Sequence, residues 1–377
     1  MSSLPQDLIA DILSRLPVKD LLRFRRVSKT FRSLIDSSDF INLHLNRSVA
    51  SHTNHTLILS KHDLRVADLD SLNSFSRLQH PLMGDDLDIR GSCNGLLCIS
   101  NILDDMAIWN PSMKKYIILP SLSLGSCDLF VFFGFGYDSV NDDYKVVRIT
   151  QSGGREGKPL ESEVRVLNMG RKGWRRIEDI PYVLPSPGPN GVFASGSLHW
   201  VVSYKDEPSN ENVIVALDVG LEEYREVPQP EYTDNKKCRL DVGVLGGCLC
   251  LMANYVSHVD LWVMREYGVK ESWIKLLSLA CDDVVGSLRS MKPLAYSRSG
   301  DQVLLEQDNT NLVWYDLKMK KAKNVSASGM PYFFKSEICL QSLVSPDVKK
   351  INDARRQQKG EDKKKDDFLS VGFKLVL

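Results

Sequence analysis

A strand-like apolar run ending in Asn or Asp, an aromatic residue six positions later and a Pro beyond it recur along this chain: Asn110 with Tyr116 and Pro120, Asn168 with Trp174 and Pro181, Asp218 with Tyr224 and Pro228. Weaker copies start at Asp68, with Phe75 seven positions on and Pro81 after it, and at Asp316, where Ala322 holds the sixth position. A copy with a longer turn spans Trp262 and Trp273. The anchors at 68, 110, 168, 218 and 316 leave a last gap of 98, two periods with the Trp262 copy between them, so 248 residues hold five intervals of about 50. A unit of this length is one small sheet that cannot bury both of its faces alone, so the copies must stack.

Glycines stand ahead of several strands, as in Gly95-Leu96-Leu97, Gly196-Ser197-Leu198-His199-Trp200, Gly246-Gly247-Cys248-Leu249 and Gly300-Asp301-Gln302-Val303. They supply the positive φ of a hairpin turn, and the repeated Trp or Tyr fills the space between neighbouring sheets. From about residue 55 onward the chain is short β-type runs broken by Gly, Pro, Asn, Asp and Ser, with no convincing long helix. The expected fold is therefore mostly β: a propeller of about six blades between residues 50 and 345, with five or seven blades as neighbouring counts and a large β-sandwich as the alternative.

Composition narrows the function classes. Lys plus Arg and Asp plus Glu are both 48, so no global charge points to a polyanion or a membrane surface. Eight cysteines are scattered at 93, 98, 127, 238, 248, 250, 281 and 339, which suits reduced thiols in a cytoplasmic or nuclear protein and predicts no disulfides. Asp7 and Asp11 interrupt the N-terminal apolar stretch, unlike a secretory leader, and the apolar run 129–135 is broken at Gly134. That run is far below the roughly 20 residues of a membrane span, so no membrane insertion is expected.

Ahead of the β region, residues 4–40 carry helical periodicity. Leu8, Ile9, Ile12, Leu13 and Leu16 share one face; Leu21 and Leu22 sit on a second short helix, and Val27, Phe31, Leu34 and Ile35 on a third. Three short helices over residues 1–45 hold more apolar surface than so small a unit buries, so it should dock on something. Leu4-Pro5, Asp7-Leu8, Ile12-Leu13, Arg15-Leu16-Pro17, Leu21, Arg25, Val27-Ser28-Lys29, Phe31 and Phe40 together resemble an F-box. The resemblance implies docking of these helices into a Skp-type adaptor and, through it, a cullin and a RING subunit. Its adaptor contacts would be Leu4, Pro5, Leu8, Ile12, Leu16, Pro17, Leu21, Leu22, Val27 and Phe31. Many F-boxes have Trp where this chain has Phe31, which predicts weaker but not absent docking. Between 15 and 32, Arg15, Lys19, Arg23, Arg25, Arg26, Lys29 and Arg32 face Asp20 alone, a stripe that steers an acidic partner. A nucleic-acid role lacks a recognition motif or an aromatic platform.

The β region is similar to the Kelch-like F-box-associated domain of plant F-box proteins. The resemblance rests on Ser92-Cys93-Asn94-Gly95-Leu96-Leu97-Cys98, Ile108-Trp109-Asn110-Pro111, Gly134-Phe135-Gly136-Tyr137-Asp138 with Asp143-Tyr144-Lys145-Val146-Val147, and Gly196-Ser197-Leu198-His199-Trp200. That family includes regulators of immune-receptor levels, toward which the reading leans, and pollen-side self-incompatibility determinants. It implies a substrate-recognition subunit of a Skp–cullin–F-box ubiquitin ligase, with a non-degradative Kelch-type scaffold as the alternative.

No catalytic, cofactor or metal residue is assigned. Gly134-Phe135-Gly136 lacks the third Gly of a dinucleotide loop, Cys248 with Cys250 and Cys93 with Cys98 lack partners at zinc spacing, and GxSxG and HExxH are missing. The loop-rich connections 151–159, 182–190 and 204–212 are candidates for the unknown protein substrate. Residues 346–367 read as a charged disordered linker, with Arg355-Arg356 and Lys363-Lys364-Lys365 as alternative import determinants. Residues 368–377 alternate like a strand, expected either to return to a sheet edge of the propeller or to fray.

Overall fold

The computed structural model describes residues 5–122, 130–152, 161–171, 173–185, 188–205, 212–232, 238–284 and 286–347. The expected terminal strand and, apart from Pro346 and Asp347, the expected linker lie outside the described residues.

Four helices come first: α1 (Gln6–Leu13), α2 (Val18–Phe24), α3 (Lys29–Ile35) and α4 (Ser38–Ala50). Pro5 and Pro17 stand immediately before α1 and α2, where a fixed φ suits a helix start. Ser28 and Ser37 cap the next two by accepting the amides of Phe31 (3.1 Å) and Phe40 (3.3 Å). The fourth helix corrects the expectation of three. Its buried face carries His44 and Ser48 beside Phe40, so the apolar period that marks a helix in sequence is diluted by polar residues.

Six antiparallel sheets follow. Their innermost strands, Lys335–Leu340, Asp88–Cys93, Phe130–Asp138, Val192–Ala194, Arg239–Leu245 and Met291–Tyr296, touch one another in that order around a closed ring. This is the six-bladed propeller predicted by the repeat. One apolar layer lies between each pair of neighbouring sheets; Phe132, Val147 and Ile149 of the third sheet, for instance, pack on Leu198, Trp200 and Val202 of the fourth.

The repeat has a physical origin. The third strands of the first, second, third, fourth and sixth sheets end at Asp68, Asn110, Asn168, Asp218 and Asp316. The side chain then accepts amide hydrogens of the following turn: Asp218 from Gly220 (2.8 Å) and Leu221 (2.9 Å), Asp316 from Lys318 (3.0 Å) and Met319 (2.8 Å), Asn110 from Met113 (3.1 Å). The following aromatic residue reaches back to the previous sheet. Trp174 Nε1 donates to the Pro120 carbonyl (2.9 Å), Trp273 Nε1 to that of Pro228 (2.8 Å) and Tyr224 to that of Glu178 (3.2 Å). In the third, fourth and fifth sheets the aromatic residue thus ties one sheet to the one before it, through a Pro carbonyl for Trp174 and Trp273.

The ring is closed by sequence-distant strands. His55–Ser60 pairs with Leu64–Asp68 on one side and with Lys335–Leu340 on the other, His55 opposite Leu340 and Ser60 opposite Lys335. The sixth sheet grips the closing strand: Glu306 accepts from the amide (2.7 Å) and hydroxyl of Ser336, while Lys292 Nζ donates to the Ser336 carbonyl (2.6 Å) and Glu337 (3.0 Å). Between the third and fourth sheets, buried Lys145 binds Asp138 (2.9 Å) and Glu222 (2.8 Å).

The chain leaving the ring at Leu340 joins the propeller to the helices. A Cβ on Gly95 would stand 2.5 Å from the Leu340 carbonyl oxygen and 2.3 Å from Ser342 Oγ, at a φ of +81°, so only glycine fits there. Buried Asn110 donates to the carbonyls of Ser342 (3.0 Å) and Val344 (2.8 Å). Leu343 is inserted among Leu13, Val18, Leu21, Ile35 and Phe40 of the helices, while Ile41 and Leu45 of α4 pack on the layer between the second and third sheets. The helical unit therefore has part of its core supplied by the propeller.

Candidate protein-binding surface

The helices are held as one block by polar ties as well as by that core. Arg25, at the end of α2, binds Asp36, at the end of α3, through both carboxylate oxygens (2.5 and 2.8 Å), which pushes the Arg25 pKa up. Arg47 of α4 donates to the carbonyl (2.9 Å) and carboxylate (2.6 Å) of Asp11 in α1, and hydrogen bonds from Arg47 and Arg15 hold the Asp11 carboxyl below its usual range. His44 Nε2 donates to the Leu16 carbonyl (3.0 Å), and burial lowers its pKa.

Against this fixed frame, several apolar side chains have nothing on them. Leu8 is 52% exposed, Ile12 53% and Val27 68%, and Pro5 and Pro17 are exposed too. Leu16, Leu22 and Phe31 are half-buried, each with an edge at the surface. Leu21 is a correction: it is 0% exposed, packed with Leu13, Ile35 and Leu343, and offers no surface to a partner. Leu4 lies outside the described residues. Phe24 is an additional candidate, 38% exposed and edge-to-face with Phe31 at 6.2 Å. Its spacing of three from Leu21 and from Val27 was the available signal.

The basic stripe is partly neutralised. Arg15 pairs with Asp11, Arg23 with Asp20, and Arg25 and Arg32 with Asp36. Among the described residues, Lys19, Arg26 and Lys29 make no ion pair, so a net positive field remains beside the apolar face.

Strand direction separates the two faces of the propeller. The helical unit and the exit at Leu340 lie where first strands end and second strands begin. The second strands of the third and fourth sheets end at Ser152 and Tyr204 on the opposite face, and most residues of the candidate connections 151–159 and 204–212 lie outside the described ones. The 182–190 candidate behaves differently. It interrupts the innermost strand of the fourth sheet, and Asn190 is spent inside the ring, donating to the Ile89 carbonyl (3.3 Å) and accepting from the Phe133 amide (3.3 Å). On the opposite face, Met83, Ile102, Leu103 and Tyr332 are exposed apolar residues, and Asn101 donates to the Met83 carbonyl (3.1 Å), which brings the first three together.

No group of three or more His, Cys, Asp or Glu is arranged to hold a metal ion among the described residues. His199 is a buried strand residue, with Nε2 2.7 Å from the Tyr267 hydroxyl and a pKa lowered to about 4 by burial. No described helix is long and apolar enough to cross a membrane.

Residues 1–43 match the F-box domain family, and residues 49–348 match the F-box associated beta propeller domain family. This chain is an F-box protein with an F-box-associated β-propeller. F-box protein CPR1 of Arabidopsis thaliana is 40% identical over 414 residues, covering 100% of both chains. F-box protein At4g22390 of the same plant is 34% identical over 410 residues, again covering 100% of both. F-box/kelch-repeat protein At3g23880, also from Arabidopsis thaliana, is 30% identical over 363 residues, covering 91% of this chain and 96% of its own. An F-box implies binding to a Skp-type adaptor, and F-box proteins are generally non-catalytic subunits whose second domain takes the substrate. The F-box here accordingly presents Leu8, Ile12, Phe24, Val27 and Phe31 on a frame held by Arg25–Asp36 and Arg47–Asp11.

Proposed function

We propose that this F-box protein is the substrate receptor of a Skp–cullin–F-box ubiquitin ligase. The exposed face of Leu8, Ile12 and Val27, built on helices whose other faces are already filled, is the observation that carries the reading. Buried in an adaptor, such side chains act as anchors, and the unpaired Lys19, Arg26 and Lys29 favour an acidic partner. Through the adaptor the chain meets a cullin and a RING subunit, and the face of the propeller remote from the F-box takes a protein target.

The receptor needs no catalytic residue. A conjugating enzyme carries ubiquitin as a thioester, and the receptor raises the effective concentration of a substrate lysine next to it. The rigid joint made by Leu343, Asn110 and α4 supports this role, since a fixed F-box-to-propeller geometry confines the target to a limited volume. The resemblance to regulators of immune-receptor levels supports a role in plant defence, exercised in the cytoplasm or the nucleus. Reconstitution with a Skp-type adaptor, cullin, RING subunit, conjugating enzyme and ubiquitin tests the proposal: ubiquitin transfer to proteins captured by the propeller is expected. Capture without any transfer would favour a non-degradative scaffold.

A further inference from the structure

Two of the three F-box cations that lack an ionic partner among the described residues, Lys19 and Arg26, lie seven residues apart along and just beyond α2 and line the same cleft. The cleft separates α2 from the first sheet and the Pro111-Ser112 turn of the second, is largely open to solvent and has a volume of about 470 Å³. Its two walls differ in chemistry. The helix wall carries Lys19, Arg23 and Arg26 around Leu22, whereas the propeller wall carries no charge: Val66 and Leu78, the half-buried margin of the apolar layer that contains Trp109, stand there beside the neutral polar Thr56, Ser112 and Gln341.

A small hydrophilic anion would leave the sheet wall against water, and an uncharged apolar molecule would leave the cations unmatched. A ligand with an apolar body and one anionic end satisfies both walls. We propose that this cleft binds an amphipathic carboxylate, its hydrocarbon body against Leu22, Val66 and Leu78 and its carboxylate toward Lys19 and Arg26. Because one wall belongs to the F-box and the other to the propeller, the bound molecule braces the joint between them. The inference stands on the cleft alone and does not depend on the ligase reading.

Titration calorimetry on the full chain tests it, with octanoate as probe and octan-1-ol and inorganic phosphate as controls. Octanoate should bind saturably at one site, octan-1-ol about tenfold more weakly and phosphate not at all. A Lys19→Glu, Arg26→Glu double variant, altering exposed residues only, should weaken octanoate about tenfold or more and leave octan-1-ol unchanged. Leu78→Trp, which fills the cleft, should weaken both ligands. Non-saturable octanoate heats, or octanoate binding indifferent to both sets of variants, would overturn the proposal. Adaptor capture is read on the Leu78→Trp chain, whose change lies on the propeller wall and leaves the Lys19 and Arg26 field intact, so loss of octanoate binding with adaptor capture retained separates the cleft from the ligase role.

Discussion

Leu343→Ala should loosen the F-box without unfolding the propeller. Leu343 is 3% exposed and packs among Leu13, Val18, Leu21, Ile35 and Phe40, although its own segment belongs to the end of the propeller. Truncation removes three carbons at roughly 0.8 kcal/mol each and leaves a cavity that the helices fill only in part, for a loss of about 3 kcal/mol. That energy couples the two parts, so it should appear as a lower opening free energy of α1 to α4. At about 1.4 kcal/mol per decade, amide hydrogen exchange in these helices should accelerate on the order of 100-fold. Strands such as His258–Met264 and Trp273–Ala280 of the fifth sheet, outside the layers that the helices touch, should keep their protection. Unchanged exchange in α1 to α4 would refute the reasoning, because the helices would then not depend on the inserted side chain. Equal acceleration throughout the propeller would refute it as well.

Lys145→Ala leaves Asp138, 0% exposed, without its cation, and thermal unfolding should show a loss of about 3 kcal/mol or more. Its folding should be rescued better by Asp138→Asn in the same chain than by Glu222→Gln, since Glu222 keeps Arg175 as a partner. Acidification should destabilise the fold through its buried histidines. The folded pKa of His199 lies near 4, below the ordinary 6.5, so its contribution is complete above pH 6.5 and is lost as the pH falls toward 4, by about 3 kcal/mol at most. The lowered pKa of His44 acts with the same sign, and melting curves from pH 7.5 down to about 4.5 should flatten in a His199→Gln variant. Phe31→Trp should tighten adaptor binding several-fold in a biolayer titration, because Phe31 has an open edge beside Phe24 where an indole adds contact area.

The propeller was legible because its repeat is chemical. Asp68, Asn110, Asp218 and Asp316 recur since each ends a third strand and ties down the next turn, Asn168 ends a third strand whose turn amide at Gly170 is accepted by Asp143 instead, and Trp174, Tyr224 and Trp273 recur since each bonds the sheet before it. The motif residues of the resemblance serve contacts distant in sequence: Gly95 and Asn110 hold the exit segment at Leu340 to Val344, and Asp138 and Lys145 lock two sheets through Glu222. What escaped was long-range. Closure by Lys335–Leu340 pairs residues at opposite ends of the chain, with no local pattern to announce the partner. Helix α4 hid behind His44 and Ser48, buried polar residues whose partners, the Leu16 carbonyl and Asn54, lie outside the helix and leave no apolar period in it. Leu21 was assigned to the adaptor because the face it buries on, with Leu343, comes from more than 300 residues away.

The adaptor-binding face is tested most directly by measuring the affinity of the full chain for a Skp-type adaptor, comparing the native sequence with a Leu8→Ala, Ile12→Ala double variant. Both side chains are about half exposed on α1 and Ala retains the helix, so the variant should keep its melting temperature. Burial of each anchor is worth about 2 kcal/mol, which predicts a loss of affinity on the order of 1,000-fold. Equal binding by the two chains, or none by the native sequence, would contradict the assignment of this face to the adaptor.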